Sequence, residues 1–319
     1  MKLTRRGLLG SALAAPAIVT LPARAATAPP VTQNAGWHSF ALGDFQITIL
    51  SDGNLTVPTT VIGENQPRQE VVSFLKDRYL DPDTNFSHTN HVLIDTGDAK
   101  ILVDVGSGSR FQPSAGKLAE NMDAAGIDSS DITHIALTHA HPDHVWGVLD
   151  DFDDLWMSDA AYTIGAAEFD WWTGEDRVNQ VPEPMQAMVV GAQNSLNPVA
   201  EQTTMAQGET QIVSGVTMID TPGHTLGHMS VLVESNGAQM LVTGDAIKHP
   251  YASFGHPDWH FGFDMDKDMA VRTRKEILDM AHTDGVLLAG YHLGFPGVGN
   301  VIRRGDTYQF LPALWRWGE

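Results

Sequence analysis

From Phe40 onward the chain alternates apolar and polar residues in the manner of β structure. Phe45-Gln46-Ile47-Thr48-Ile49-Leu50 reads as a half-buried strand that stops at Ser51-Asp52-Gly53, a turn-forming triplet. Residues 57–90 are irregular and rich in Pro, Asn and Asp, which predicts a long surface excursion over a site below it. Periodicity then returns. Residues 91–94 and 101–104 read as two strands of a hairpin turned through Thr96-Gly97-Asp98. Residues 118–125 have helical spacing and stop at Gly126. Residues 132–137 form a short, nearly all-apolar strand of the kind covered on both faces.

The second half repeats this grammar. Residues 211–213, 216–219, 230–233 and 240–242 read as strands, 266–281 as an amphipathic helix, and 285–288 as another buried strand. Two strand-rich halves with interspersed helices predict two sheets faced by helices, an α/β sandwich. No fixed-period repeat is visible, which excludes a solenoid.

Composition narrows the function. The chain of 319 residues is 42% hydrophobic with a mean hydropathy of −0.14, enough to fill a core and stay soluble. It carries 39 acidic against 19 basic residues, a formal charge of −20. Such a surface repels phosphate backbones and argues against a nucleic-acid partner. There is no cysteine, so any metal must be held by His, Asp or Glu.

The N-terminus reads as an address. Arg5-Arg6 precedes an apolar run over residues 7–21, and Ala23-Arg24-Ala25 offers small residues where a signal peptidase cuts. The run is short and contains Pro16, a poor membrane span. The expectation is a twin-arginine export signal over 1–25 with cleavage after Ala25 and no stable membrane insertion. A flexible lead-in over 26–36 and one domain over 37–319 would follow, in the periplasm or outside the cell. Losing four basic groups and no acids, the mature chain would carry −24 instead of −20.

The chemistry concentrates in Thr138-His139-Ala140-His141-Pro142-Asp143-His144. In an extended stretch, residues two apart project to one side, so His139 and His141 can share a metal. Pro142 then breaks the strand and sends Asp143 and His144 to a neighbouring position. Other strand ends offer matching ligands. His224 sits on a Pro-Gly turn, Gly244-Asp245 closes a strand with a carboxylate that can bridge two cations, and His292 follows another strand. His228 begins the strand after His224 and reads as a supporting residue. Imidazole and carboxylate without thiolate suit zinc, and also manganese, iron or cobalt.

Together, 138–144, Thr221-Pro222-Gly223-His224-Thr225-Leu226-Gly227-His228, Gly244-Asp245 and His292 resemble the metallo-β-lactamase superfamily. The resemblance implies a four-layer αβ/βα sandwich holding two divalent metal ions. One would be held by His139, His141 and His224, the other by Asp143, His144 and His292, with Asp245 between them. Asp104 resembles the superfamily's aspartate that orients ligands. Leu42-Gly43-Asp44-Phe45, His256-Pro257-Asp258, Phe261-Gly262-Phe263-Asp264 and the stretch 292–299 are similar to the methyl parathion hydrolase group. That likeness implies a leaving-group pocket of Phe111, Trp171 and Trp172, although 178–190, read as a loop, departs from the group's pattern.

The expected activity is hydrolysis of a small ester, lactone or phosphotriester. A water activated between the two cations would attack, with Asp143 orienting it. The alternatives are a lactonase acting on acyl-homoserine lactones and a non-catalytic periplasmic metal-binding protein. The apolar run Phe310-Leu311-Pro312-Ala313-Leu314-Trp315-Arg316-Trp317 is expected either to pack onto the fold or to bury in a homodimer.

Overall fold

The computed structural model describes residues 34–315. The expected export signal, the lead-in through 33 and the last residues of the apolar tail lie outside them. Two seven-stranded sheets carry the fold. The first runs in chain order through β1 (Trp37–Leu42), β2 (Phe45–Pro58), β3 (Thr84–Asp95), β4 (Lys100–Val103), β5 (His134–Leu137), β6 (Ala161–Gly165) and β7 (Thr203–Ala206). The second runs likewise through β8 (Thr210–Val213), β9 (Val216–Asp220), β10 (Met229–Ser235), β11 (Ala238–Val242), β12 (Leu287–Ala289), β13 (Val298–Arg304) and β14 (Thr307–Pro312). The helices are α1 (Arg68–Lys76), α2 (Leu118–Ala124), α3 (Pro142–Val145), α4 (Ala166–Thr173), α5 (Arg177–Gln180), α6 (Glu183–Leu196), α7 (Ala252–Gly255) and α8 (Lys267–Asp284).

Strand alternation builds the layers. Ile47 and Ile49, Val92 and Ile94, Ile101 and Val103, and Ala136 point between the sheets. There they meet Met218, Val231, Val233, Met240 and Val242 from the second sheet. Their neighbours Leu93, Leu102, Ile135 and Leu137 point the other way, onto Leu118 and Met122 of α2 and Val189, Ala192 and Leu196 of α6. On the far side, Leu241 and Leu288 pack on Ile277, Leu278 and Ala281 of α8. The result is the four-layer αβ/βα arrangement. Strands β4 to β7 are parallel, as are β11 and β12, so several carboxyl ends open on one edge.

Two departures from the sequence reading have physical causes. Residues 57–90 are mostly ordered. β2 and β3 stay paired out to Pro58 opposite Thr84, past a bulge at Ser51 and Gly53, and α1 fills much of the rest. The ribbon looks irregular because only one of its faces is covered. Residues 178–190 are also helical, in α5 and α6; Pro184 stands at the permissive start of α6, and Val189, Ala192 and Leu196 form its buried stripe. The tail, expected either to pack onto the fold or to bury in a homodimer, packs onto the fold through Pro312 as the edge strand β14, and Trp315 stacks on His38 with ring centroids 4.7 Å apart.

Candidate metal centre

Each candidate ligand sits where a buried strand ends. β5 leads into Thr138 and His139, and Pro142 starts α3, whose first turn carries Asp143 and His144. His224 lies on the turn between β9 and β10, Asp245 on the turn after β11, and His292 between β12 and β13. Two glycines fix these turns. Gly223 has φ of +130°, and a Cβ there would come within 2.3 Å of the Ala270 nitrogen on α8. Gly244 has φ of +47°, and its Cβ would reach 2.7 Å from His228 Nε2. Only glycine allows both the backbone and the approach.

The side chains converge from both sheets. His141 Nδ1 lies 3.0 Å from His139 Nε2 and 2.9 Å from His224 Nε2. This trio could hold one cation at the spacing of tetrahedral nitrogen ligands. His144 Nε2 and His292 Nε2 each lie 3.5 Å from Asp143 Oδ2, a second such group. Asp245 stands between the two. Its Oδ2 is 3.2 Å from both His224 Nε2 and His292 Nε2, and its Oδ1 is 3.4 Å from His144 Nε2.

The outer edges of the rings fix which nitrogen faces inward. His144 donates from Nδ1 to Asp104 Oδ2 at 2.7 Å. Asp104, at φ +59°, also accepts from the Thr138 amide and hydroxyl. His224 donates from Nδ1 to Asp264 Oδ1 at 3.0 Å, and His292 from Nδ1 to the His88 carbonyl at 2.8 Å. His228 lies one layer back. Its Nε2 accepts from the Asp245 amide at 3.0 Å, while Nδ1 faces the Thr221 carbonyl at 3.1 Å. It therefore positions Asp245 and has no nitrogen left for a cation.

Electrostatics fit cation binding. Burial, reinforced by the neighbouring imidazoles, holds His139 well below its ordinary pKa and brings His141 down to about 3. Facing lone pairs on neutral rings therefore gain no relief from protonation. Burial also works against charge on His144 and His292. The carboxylates around them outweigh it, Asp143 first for His144 and Asp245 first for His292, and raise both. The same imidazoles pull Asp143 and Asp245 down despite burial. Asp143 Oδ2, His144 Nε2 and Asp245 Oδ1 are buried polar atoms without a hydrogen-bond partner. Such atoms normally have one, and divalent cations at this point would satisfy all three.

The sequence reading assigned no role to the supports beneath this cluster. Asp264 is buried and touches three cation-capable groups: His224, Lys248 Nζ and, at 3.5 Å, Arg274 Nη2. Lys248 also donates to the Asp245 carbonyl at 2.9 Å. Glu168 accepts from the Ala140 amide, the Trp172 indole and the Gly227 amide, tying the His139 and His224 segments to α4. Asp52 accepts from Ser107 and the Leu118 amide. The one available signal was a carboxylate inside an aromatic run, Phe261-Gly262-Phe263-Asp264, which belongs in a core only with partners.

A cavity opens over the cluster. Leu55, Val57, Ile62, Phe111, Phe261 and Phe263 form much of its wall, and His141, Asp143, His224, Asp245 and His292 its floor. Phe111 is thus where a pocket aromatic was expected, edge-on to Trp146. Trp171 and Trp172 are not. Trp172 is fully buried beneath His141, its ring 5.5 Å away and its indole bound to Glu168. Trp171 packs against that core under Arg177. α4 turns both rings toward the helical layer, and Phe261 and Phe263 supply the aromatic wall instead.

The model of the metallo-beta-lactamase superfamily matches residues 84–282. The chain belongs to the metallo-beta-lactamase superfamily. Within it, the chain is 28% identical over 217 residues to the thioesterase pkgB of Emericella nidulans, covering 67% of this chain and 46% of the relative. The chain spans about half the length of the curated relatives it matches. Two solved structures are similar at a TM-score of 0.83. AidC, a dizinc quorum-quenching lactonase in complex with a product, is 26% identical, with 88% of this chain and 98% of that one covered. The hydrolase AbOPH of the beta lactamase superfamily is 27% identical, with 89% and 100% covered. That superfamily includes metal-dependent hydrolases, and the chain's His/Asp clusters fit two divalent metals.

Proposed function

We propose that this superfamily member is an exported dizinc hydrolase that cleaves a small neutral ester, lactone or phosphotriester. The observation that carries the reading is the convergence of seven side chains, His139, His141, Asp143, His144, His224, Asp245 and His292, under one apolar cavity. Two bound divalent cations would supply Lewis acidity at the scissile group and make water a nucleophile near neutral pH. The chain's own residues do the rest. Asp143, on the cavity floor, orients the attacking water. Asp104, Asp264 and the His88 carbonyl hold three imidazoles in the tautomer that faces inward. Leu55, Val57 and Phe261 exclude bulk water and accept the apolar part of the substrate.

Phe111, Phe261 and Phe263 support an aromatic leaving group, as in the methyl parathion hydrolase group. The likeness to a dizinc lactonase supports acyl-homoserine lactones as a second reading, and the curated thioesterase adds thioesters to the candidates. The test is metal analysis coupled to an ester, lactone, thioester and phosphotriester panel, with His139→Ala as control. Tight binding of two metals without turnover on any of them would instead favour a non-catalytic metal-binding protein. Export by the twin-arginine route belongs to the same proposal. Fractionation of cells carrying Arg5→Lys/Arg6→Lys checks it, with retention in the cytoplasm as the expected outcome. Monomer or homodimer is read by light scattering of the mature protein.

A further inference from the structure

Among the described residues lining the cavity, three have a buried side-chain polar atom with no partner: Asp143, Asp245 and His249. The first two belong to the metal cluster. His249 does not. It is 1% exposed, and its Nδ1 accepts from the amides of Tyr251 at 3.1 Å and Ala252 at 3.0 Å. An imidazole nitrogen that accepts two N–H groups carries no proton, so the proton sits on Nε2. That Nε2–H is the atom without a partner. Burial, helped by the positive charge of Arg78, lowers the His249 pKa to about 4, so the ring is neutral in use. The wall around it is largely apolar, with Leu55, Val57, Ile62 and Phe261 among its members. His249 lines this cavity, and a buried donor without a partner is costly to leave unmade.

We infer that His249 Nε2–H binds an uncharged oxygen acceptor of the ligand, a carbonyl or phosphoryl oxygen carried beside an apolar group. The inference rests on the cavity being the substrate site proposed above. The cavity is then built for neutral molecules with one strong acceptor. An anionic acceptor would add the cost of burying its charge against the apolar wall. Pure hydrocarbons leave the N–H unpaired. His249 acts by positioning and selecting the substrate, and its backbone-locked tautomer makes the donor permanent instead of pH-gated.

His249→Asn separates the two jobs of the ring. An Asn oxygen can still accept from the amides two and three residues on, as in an Asx turn, but its side chain is too short to place a donor at the cavity. The first measurement is long-range proton–nitrogen NMR of the histidine-labelled, metal-loaded full chain. The proton should lie on Nε2; a proton on Nδ1 overturns the inference. The second is titration with hexanamide, neutral with one carbonyl and one apolar chain. Wild type should bind it about five- to tenfold tighter than His249→Asn, with the His249 Nε2–H resonance shifting on binding. Equal affinities, or no binding by wild type, overturn it. The third compares oxo and thio forms of the best panel substrate. In wild type, kcat/KM should favour the oxo form by a larger ratio than in His249→Asn, at unchanged metal content. An unchanged ratio also overturns it. A panel without turnover, alongside the hexanamide difference, would remove the hydrolytic reading and leave the His249 donor standing.

Discussion

Asp264→Asn tests the support beneath the cluster most directly. The substitution keeps the volume and removes one buried negative charge. In the native fold that charge faces Lys248, His224 and Arg274, all buried. Breaking a buried ion pair from one side costs about 3–5 kcal/mol, because the remaining charges stay desolvated and unpaired. In a domain of this size that lowers Tm by roughly 10 °C. Calorimetry of the metal-free protein reads it. Metal affinity should fall as well, by roughly 10- to 100-fold, because His224 loses the acceptor that orients it. Competition with a chelator of known affinity measures this. The sign with pH follows from the depressed Asp264 pKa, which Lys248 and His224 set against the opposing effect of burial. The native contribution is full above the ordinary Asp range and is lost as pH falls through the depressed value, so the gap between wild type and variant should narrow below about pH 4. Adding Lys248→Met should recover part of the loss by removing an unpaired charge. A metal-free Asp264→Asn protein within about 2 °C of wild type, with unchanged metal affinity, would refute the reasoning.

Other outcomes follow from the same geometry. His139→Ala should reduce metal content from two ions toward one and abolish turnover, read by elemental analysis of purified protein. Glu168→Ala leaves the Ala140, Trp172 and Gly227 donors unpaired and should cost about 3–5 kcal/mol in chemical denaturation. In the metal-free chain the carboxylates raise His144 and His292 over the effect of burial. Their protonated forms stabilise that chain at low pH, a contribution lost as pH rises through the raised values. The gain in Tm on adding metal should therefore grow as pH rises above the ordinary His range of about 6.5, and a gain that stays flat there would count against it. Gly244→Ala should lower metal affinity without removing a ligand, because the turn carrying Asp245 must shift away from His228.

Much of the fold could be read from the chain because buried strands such as 132–137 are apolar on both faces. Ile135 and Leu137 meet helices while Ala136 meets the second sheet. The cluster was legible for a related reason: His139, His141, Asp143 and His144 are adjacent in sequence, so local geometry brings them together. His224, Asp245 and His292 needed strand ends to be recognised one by one. What escaped depends on long-range packing. The pocket direction of Trp171 and Trp172 is set by how α4 docks, which no local pattern encodes. The same holds for Asp264, whose partners lie 10, 16 and 40 residues away in sequence. His249 gave no signal because its tautomer depends on the turn that follows it.

The ligand cluster draws one half from each sheet, so the distance across it depends on how far apart the sheets stand. Met218, Met229 and Met240 sit in the layer between them. Unbranched thioethers adapt their shape at little cost and let neighbouring surfaces settle at more than one separation. The methionine layer is therefore a mechanical spacer between the two halves of the ligand cluster. Replacing these residues with branched aliphatic ones would shift His224, Asp245 and His292 against His139, His141, Asp143 and His144, a change that metal affinity would read, without touching a residue that lines the cavity.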